Sequence, residues 1–330
     1  LGAVSRLATV GAAFALALLQ GCASRGPTIA ASLDANTPRR MELEATPFFP
    51  QREYQCGPAA LATVLGASGV EVAPDELTAK VYLPEKHGSL QTEMIAATRA
   101  YDRLAVVLDG DLDSVLREVA AGNPVLVLQN LGVAALPFWH YAVVVGFDDE
   151  GDSLILRSGK DPRKRLASGR FGYEWALAQH WAVVVVRPDT IPATASAERY
   201  LEAAAGLEAA KHSDSALLAY RTAHERWPTD TTALLGIGNI NYAQGRLADA
   251  EAAYRGVLAL AEHNAAARNN LAQVLLERGN PEAALTEILR AQSDLTDARL
   301  ASMLAATESD IRRVLATPGP DRPDKRAGNK

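Results

Sequence analysis

A 34-residue period in the C-terminal part of the chain most constrains how it can fold. Ala216, Ala250 and Ala284 are spaced by 34, as are Tyr220, Tyr254 and Ile288. Gly245 and Gly279 recur at the same distance, Ile237 and Leu271 match, and Pro228 falls near the end of a unit. A fixed period of this size means stacked units, each too small to bury its apolar face alone. The text here is alanine-rich and carries no strand signals, so each unit is expected to be helical. The units are placed at 197–230, 231–264 and 265–298, after a linker at 189–196. The first is degenerate, with Lys211 where the other two have glycine. Residues 299–315 are expected to form a capping helix and 316–330 a disordered tail.

A small residue at the helix crossing, an aromatic four positions later and a 34-residue period resemble the tetratricopeptide repeat. The resemblance implies an all-α stack whose concave groove docks a protein partner.

The pattern over 46–188 differs. Helices come first: one from Cys56, a short one opened by Pro74-Asp75-Glu76, and a third over 91–101. Strands are expected at 104–108, 124–129, 140–147, 153–157 and 181–186, with helices at 112–121 and near 173–179. The polar, basic stretch 158–169 reads as a loop. Helices followed by a mostly antiparallel sheet make an α+β domain.

The longest apolar run, 7–19, is shorter than the roughly 20 residues that a membrane span needs. With Arg6 before it, the run fits a signal peptide over 1–21. Its exit, Leu19-Gln20-Gly21-Cys22, resembles the lipobox of bacterial lipoproteins, although Gln20 is bulkier than usual. The resemblance implies that Cys22 is lipidated and holds the protein to a membrane. Ala23, where an Asp would retain the protein at the inner membrane, implies the outer membrane, facing the periplasm. Residues 22–45, rich in Ser, Thr, Pro, Ala and Arg, read as a flexible tether. The chain has two cysteines. With Cys22 acylated, no intramolecular disulfide is possible and Cys56 is the sole free thiol. The net charge of −6, without a dense basic stripe, argues against a nucleic-acid partner. No residues fall at metal-ligand spacing and no phosphate loop follows a strand, so neither metal nor cofactor is expected.

Cys56-Gly57-Pro58 leads into an apolar-periodic run with Leu61, Val64, Leu65 and Ser68 at i, i+3, i+4 and i+7. Proline suits a first helical turn, so Cys56 is predicted at the N-terminus of a half-buried helix. There the macrodipole and free N–H groups favour the thiolate. A cysteine nucleophile needs a base, and imidazole titrates in the right range. Of six histidines, His140 opens the apolar strand HYAVVVGFDD and is held by its backbone. His180, just before the last strand, is the rival. His87 sits in a loop, and His212, His224 and His263 belong to the repeats.

Gln51, Cys56-Gly57-Pro58-Ala59-Ala60 and the run from His140 to Asp148 resemble the double-glycine peptidases, papain-like cysteine proteases of bacteriocin-leader processing. The resemblance implies a papain-like fold and a peptide or protein substrate. It implies Cys56 as nucleophile, His140 as general base and then acid, and Gln51 as oxyanion-hole donor. Gln51 stands one residue closer to the cysteine than in the family, which leaves Gln55 as an alternative. The residue orienting the histidine is Asp161 by chemistry and its following Pro162, or Ser158 by strand position. The expected activity is a lipid-anchored cysteine peptidase with repeats that dock substrate or partner. The alternatives are a catalytically silent peptide-binding module and a repeat-based scaffold of the cell envelope.

Overall fold

A computed structural model of the chain describes residues 28–33, 37–52, 54–293 and 298–317. The expected signal peptide, Cys22 and most of the expected tail lie outside the described residues.

The sheet is built from β1 (Arg40–Glu42), β2 (Leu104–Val107), β3 (Val125–Asn130), β4 (Trp139–Asp148), β5 (Ser153–Ser158), β6 (Asp161–Ala167) and β7 (Ala182–Val186). Their order is β2-β7-β3-β4-β5-β6, with every pairing antiparallel. β1 pairs with β4 at Arg40↔Asp148, beyond the point where β3 has ended. Both faces are covered, which is why strands such as AVVVV are apolar throughout rather than alternating. Leu126, Leu128, Tyr141 and Val143 share a core with α2 (Cys56–Ala67), α3 (Pro74–Val81) and α4 (Gln91–Arg99). Val125, Val127, Ala142 and Val144 point the other way, against α5 (Leu112–Ala120) and α6 (Ser168–Ala176). This is the expected α+β architecture, with three corrections.

Every residue of α2 from Gly57 to Leu65 is buried, so the helix is not half-exposed. It lies between the sheet and two further helices, and its small residues make that enclosure possible. The stretch 158–169 is not a loop. It contains the edge strand β6, hydrogen-bonded to β5, whose Arg163, Lys164 and Arg165 are the charges that blunt an open sheet edge. Nor are the described residues of the expected tether free. Ile29, in α1 (Ile29–Ser32), is fully buried in the sheet core, and its N–H donates to Asp152 Oδ1 at 3.0 Å. β1 then fills the edge of β4.

The repeats form three helix pairs: α7 (Ala197–Ala209) with α8 (Ser213–Arg226), α9 (Thr231–Ala243) with α10 (Leu247–Leu260), and α11 (Ala265–Glu277) with α12 (Pro281–Ser293). A further helix, α13 (Ala298–Ala316), follows. The 34-residue glycine position has a backbone cause: each pair turns through a left-handed residue, Gly245 at φ 72° and Gly279 at φ 78°. Lys211 holds the same conformation at φ 68° in the degenerate unit.

The first pair is not separate from the sheet. Tyr200, Leu201, Ala204 and Leu207 belong to one continuous core with Leu104 and Val106. The linker is pinned as well: the Glu118 carboxylate accepts from the N–H groups of Ala193 and Thr194 at 3.2 and 2.6 Å.

Candidate active site

Pro58 and the close approach of a neighbouring loop set the start of α2. A Cβ on Gly57 would stand 2.3 Å from Ser89 Oγ, so only glycine lets this loop lie against the turn that follows Cys56. Ser89 Oγ is itself buried and has no partner among the described residues. Cys56 opens into a cleft of about 1390 Å³ whose walls also carry Gln51, Tyr141, His140, Ser158 and Asp161. Strand pairing brings these distant residues together. His140 is the second residue of β4 and lies opposite Gln129 of β3, while Ser158 ends β5.

His140 Nε2 stands 2.9 Å from Ser158 Oγ, which fixes the ring and leaves Nδ1 for another partner. Asp161, the expected orienter, is not the residue set against the imidazole. It begins β6 across the turn, is exposed, and its Oδ1 accepts the N–H of Arg163 at 2.8 Å. The β4–β5 pairing, with Val143 opposite Arg157, brings the end of β5 and its Ser158 hydroxyl to the start of β4, whereas Asp161 opens the next strand out.

Gln51 is clamped at both ends of its amide. Nε2 donates to the Tyr141 carbonyl at 3.2 Å, and Oε1 accepts from Gly159 N–H at 3.0 Å. The Gln51 main chain also donates to Gly159 O at 2.9 Å. The side chain is thus aimed into the cleft with a second Nε2–H to spare. Gln55 faces a separate shallow depression with Phe49 and Pro74 and takes no part in the cleft wall. His180 lies edge-on to Trp175 at 4.9 Å, also outside the cleft.

Burial dominates the electrostatics. It pushes the Cys56 thiol above its ordinary value, outweighing main-chain hydrogen bonds at Tyr141, Gly57 and Cys56 itself that favour the thiolate. The helix-start effect expected from sequence is present but is not the larger force. Burial, then the charge of Lys164, pulls the His140 imidazole down to about 4. Both groups are therefore neutral at neutral pH.

Two further features of the cleft escape sequence reasoning. Lys164, in the nominal loop, turns out to be a strand residue paired with Leu156, two positions before Ser158. The β3–β4 connection and the first residue of β4 carry exposed apolar side chains, among them Leu136, Phe138 and Trp139, and the last two line the cleft. The Leu-Pro-Phe-Trp run directly before His140 was the available signal.

Residues 43–181 match the model of the Peptidase C39-like family. Residues 201–265 and 241–307 each match a tetratricopeptide-repeat model. The N-terminal part is a C39-like domain, and tetratricopeptide repeats follow it. No curated protein matches the sequence. Among solved structures, a putative C39-like peptidase from Bacillus anthracis aligns with 45% of this chain and 98% of its own, at 16% identity and a TM-score of 0.38. The peptidase domain of Streptococcus ComA, a bifunctional ABC transporter of a quorum-sensing pathway, aligns with 43% of this chain and 98% of its own, at 20% identity and a TM-score of 0.34. The Yersinia enterocolitica type III secretion chaperone SycD, in complex with a peptide of the translocator YopD, aligns with 36% of this chain and 93% of its own, at 16% identity and a TM-score of 0.34. Within the C39-like domain, the family match takes in Gln51, Cys56, His140, Ser158 and Asp161.

Proposed function

We propose that the chain is a cysteine peptidase that cleaves a peptide through an acyl-enzyme on Cys56. The observation that carries this reading is the shared cleft of Cys56 and His140, with the imidazole held through Nε2 by Ser158. His140 Nδ1 takes the thiol proton as Cys56 Sγ attacks the scissile carbonyl carbon. Burial disfavours the charged form of both the thiol and the imidazole. The oxyanion falls to the Cys56 N–H and the spare Nε2–H of Gln51. The imidazolium then protonates the leaving amine, and water attacks the thioester with His140 as base again.

The test is cleavage of unfolded casein by the full chain. Wild type is expected to cut it, and Cys56→Ala and His140→Ala to lose the activity by about three orders of magnitude or more. Undiminished cutting by Cys56→Ala would overturn the reading. A second reading, a peptide-binding module without catalysis, has its own support: a hydroxyl in place of a carboxylate at His140 stabilises the imidazolium less. Casein bound but never cut by wild type would favour it.

The repeat match supports a docking role for the C-terminal helices. Pull-down with a chain lacking 231–317 tests it, since undiminished recovery of the partner argues against docking there. Lipid attachment at Cys22, and with it a place in the cell envelope facing the periplasm, is proposed on the lipobox resemblance alone. Labelling with radioactive palmitate, lost on Cys22→Ala, is the expected outcome.

A further inference from the structure

Charge in the cleft runs against charge in the chain. The whole sequence carries six more acids than bases. The cleft wall nevertheless includes Arg52, Lys86, Lys160 and Lys164 against a single described carboxylate, Asp161. Arg52 is paired with Asp75 at 3.2 Å, and Asp161 is occupied by the Arg163 N–H. The three lysines have no carboxylate partner among the described residues. Two of them, Lys160 in the β5–β6 turn and Lys164 on β6, share the cleft lining with Ser158 and His140. Low-dielectric walls focus such a field and select ligands of the opposite sign.

Resting on the peptidase reading above, we propose that the cleft takes a peptide whose carboxylate seats on Lys164 and Lys160 beside His140. The chain puts a neutral hydroxyl on this imidazole where an anion would hold its charged form better. A substrate carboxylate at Lys164 stands in the anion's place and offsets the lysine charge that now disfavours imidazolium. The substrate thereby supplies part of what Ser158 lacks. Lys164 on β6 is the charge that acts on the imidazole. The other charged and titratable groups lining the cleft are Lys160 and Asp161 at the turn, Cys56 on α2, Tyr141 on β4, and Arg52, Tyr54, Lys86 and His87 on the facing loops. The carboxylate could come from a glutamate or aspartate side chain or from a chain terminus; the chemistry at the lysines is the same.

The experiment uses the full chain carrying Cys56→Ala, which holds peptides without cutting them, and reads fluorescence anisotropy. Matched labelled peptides differ only by internal Glu or Gln, or by a free or amidated C-terminus, so the two sources separate. The acid form is expected to bind about tenfold tighter than its amide match, with the advantage fading as salt rises. Lys164→Gln with Lys160→Gln is expected to bring the acid-to-amide affinity ratio to about one. Equal binding of both forms, no binding of either, or a preference that survives the double substitution would overturn the proposal. With Cys56 restored, the acid peptide is expected to show the higher kcat/KM and an acid limb at higher pH. If the chain binds acid peptides preferentially but cuts none, the peptidase reading fails and the carboxylate site stands. If it cuts both forms equally well, the reverse holds.

Discussion

Two kinds of core meet where α7 packs on β2. In the C39-like domain, residues far apart in sequence are brought together by strand pairing: Gln51, Cys56, His140 and Ser158 come from four separate segments. In the repeats, contacts are local and recur every 34 residues, with glycine and alanine where helices cross. A Cβ on Gly236 would stand 2.4 Å from the Tyr220 ring, and one on Gly238 equally close to Tyr254. The first architecture places single side chains at strand ends, as a reaction centre requires. The second produces a uniform surface that extends by addition. The seam is instructive because the first repeat belongs to both: its Tyr200, Leu201 and Leu207 complete the sheet core. The protein's structural boundary therefore lies inside the repeat array and not at the linker.

The hardest test of that comparison is truncation. A chain ending after residue 190 strips α7 from Leu104 and Val106, and loses three large buried side chains worth about 1.5–3 kcal/mol each. The loss, on the order of 5 kcal/mol, approaches the whole stability of an ordinary domain. A chain ending after residue 245 keeps the seam and is expected to melt cooperatively near the full chain's sheet transition. Circular dichroism melts of the two decide it; identical melts would return the boundary to the linker.

A single side chain on the sheet side comes next. Trp175 is 2% exposed and its Nε1 donates to Trp181 O at 2.9 Å, which ties α6 to the approach of β7. Trp175→Ala is expected to cost about 3–5 kcal/mol, measured by urea denaturation. The loss should appear in the sheet transition. If it appears only in the repeats, the two cores are not organised as described.

The imidazole adds a pH dependence that the repeats do not share. His140 titrates near 4 in the folded state against an ordinary 6.5. The unfolded chain therefore binds this proton first as pH falls, and stability present above 6.5 is lost progressively down to about 4. The loss is at most about 3 kcal/mol, since the ring is only partly enclosed. Ser158→Asp would place an anion on Nε2 and raise the imidazole by about 1–3 pH units, an effect readable by NMR titration. A titration left unmoved by the aspartate would mean that the Ser158 contact does not form in solution.

Much of the sheet was legible in sequence because its strands are short apolar runs bounded by turns, and the period exposed the repeats directly. What escaped has physical causes. β6 carries Arg163, Lys164 and Arg165 because it is an edge, and an edge strand of charges reads as a loop. The choice between Ser158 and Asp161 turned on which of the two ends the strand paired with β4, and composition carries no signal for that register. Ile29 and β1 looked like tether because a few apolar residues in Ser- and Pro-rich text do not reveal the open strand edge they fill. The field of the cleft was hidden for the same reason as β6: Lys164 gains meaning only once β5 and β6 pair.

The smallest effect bears on the repeats alone. Lys211, Gly245 and Gly279 occupy one left-handed position in successive turns, at φ 68°, 72° and 78°. A side chain there crowds its own backbone, and glycine does not. Lys211→Gly is therefore expected to stabilise the first pair by up to about 1 kcal/mol, and Gly245→Ala to destabilise the second by about as much. Nothing lies within 4 Å of a Cβ on Gly245, so the cost of alanine would be conformational and not a clash. Because the first pair is fused to the sheet, the gain from Lys211→Gly should raise the sheet transition, whereas Gly245→Ala should lower the repeat transition alone. Thermal melts that move together for both substitutions would dissolve the distinction between the two cores. Melts that move separately would place it within the second pair, where Ala233 and Ile240 of α9 still join the sheet core and Ala250 and Tyr254 of α10 do not.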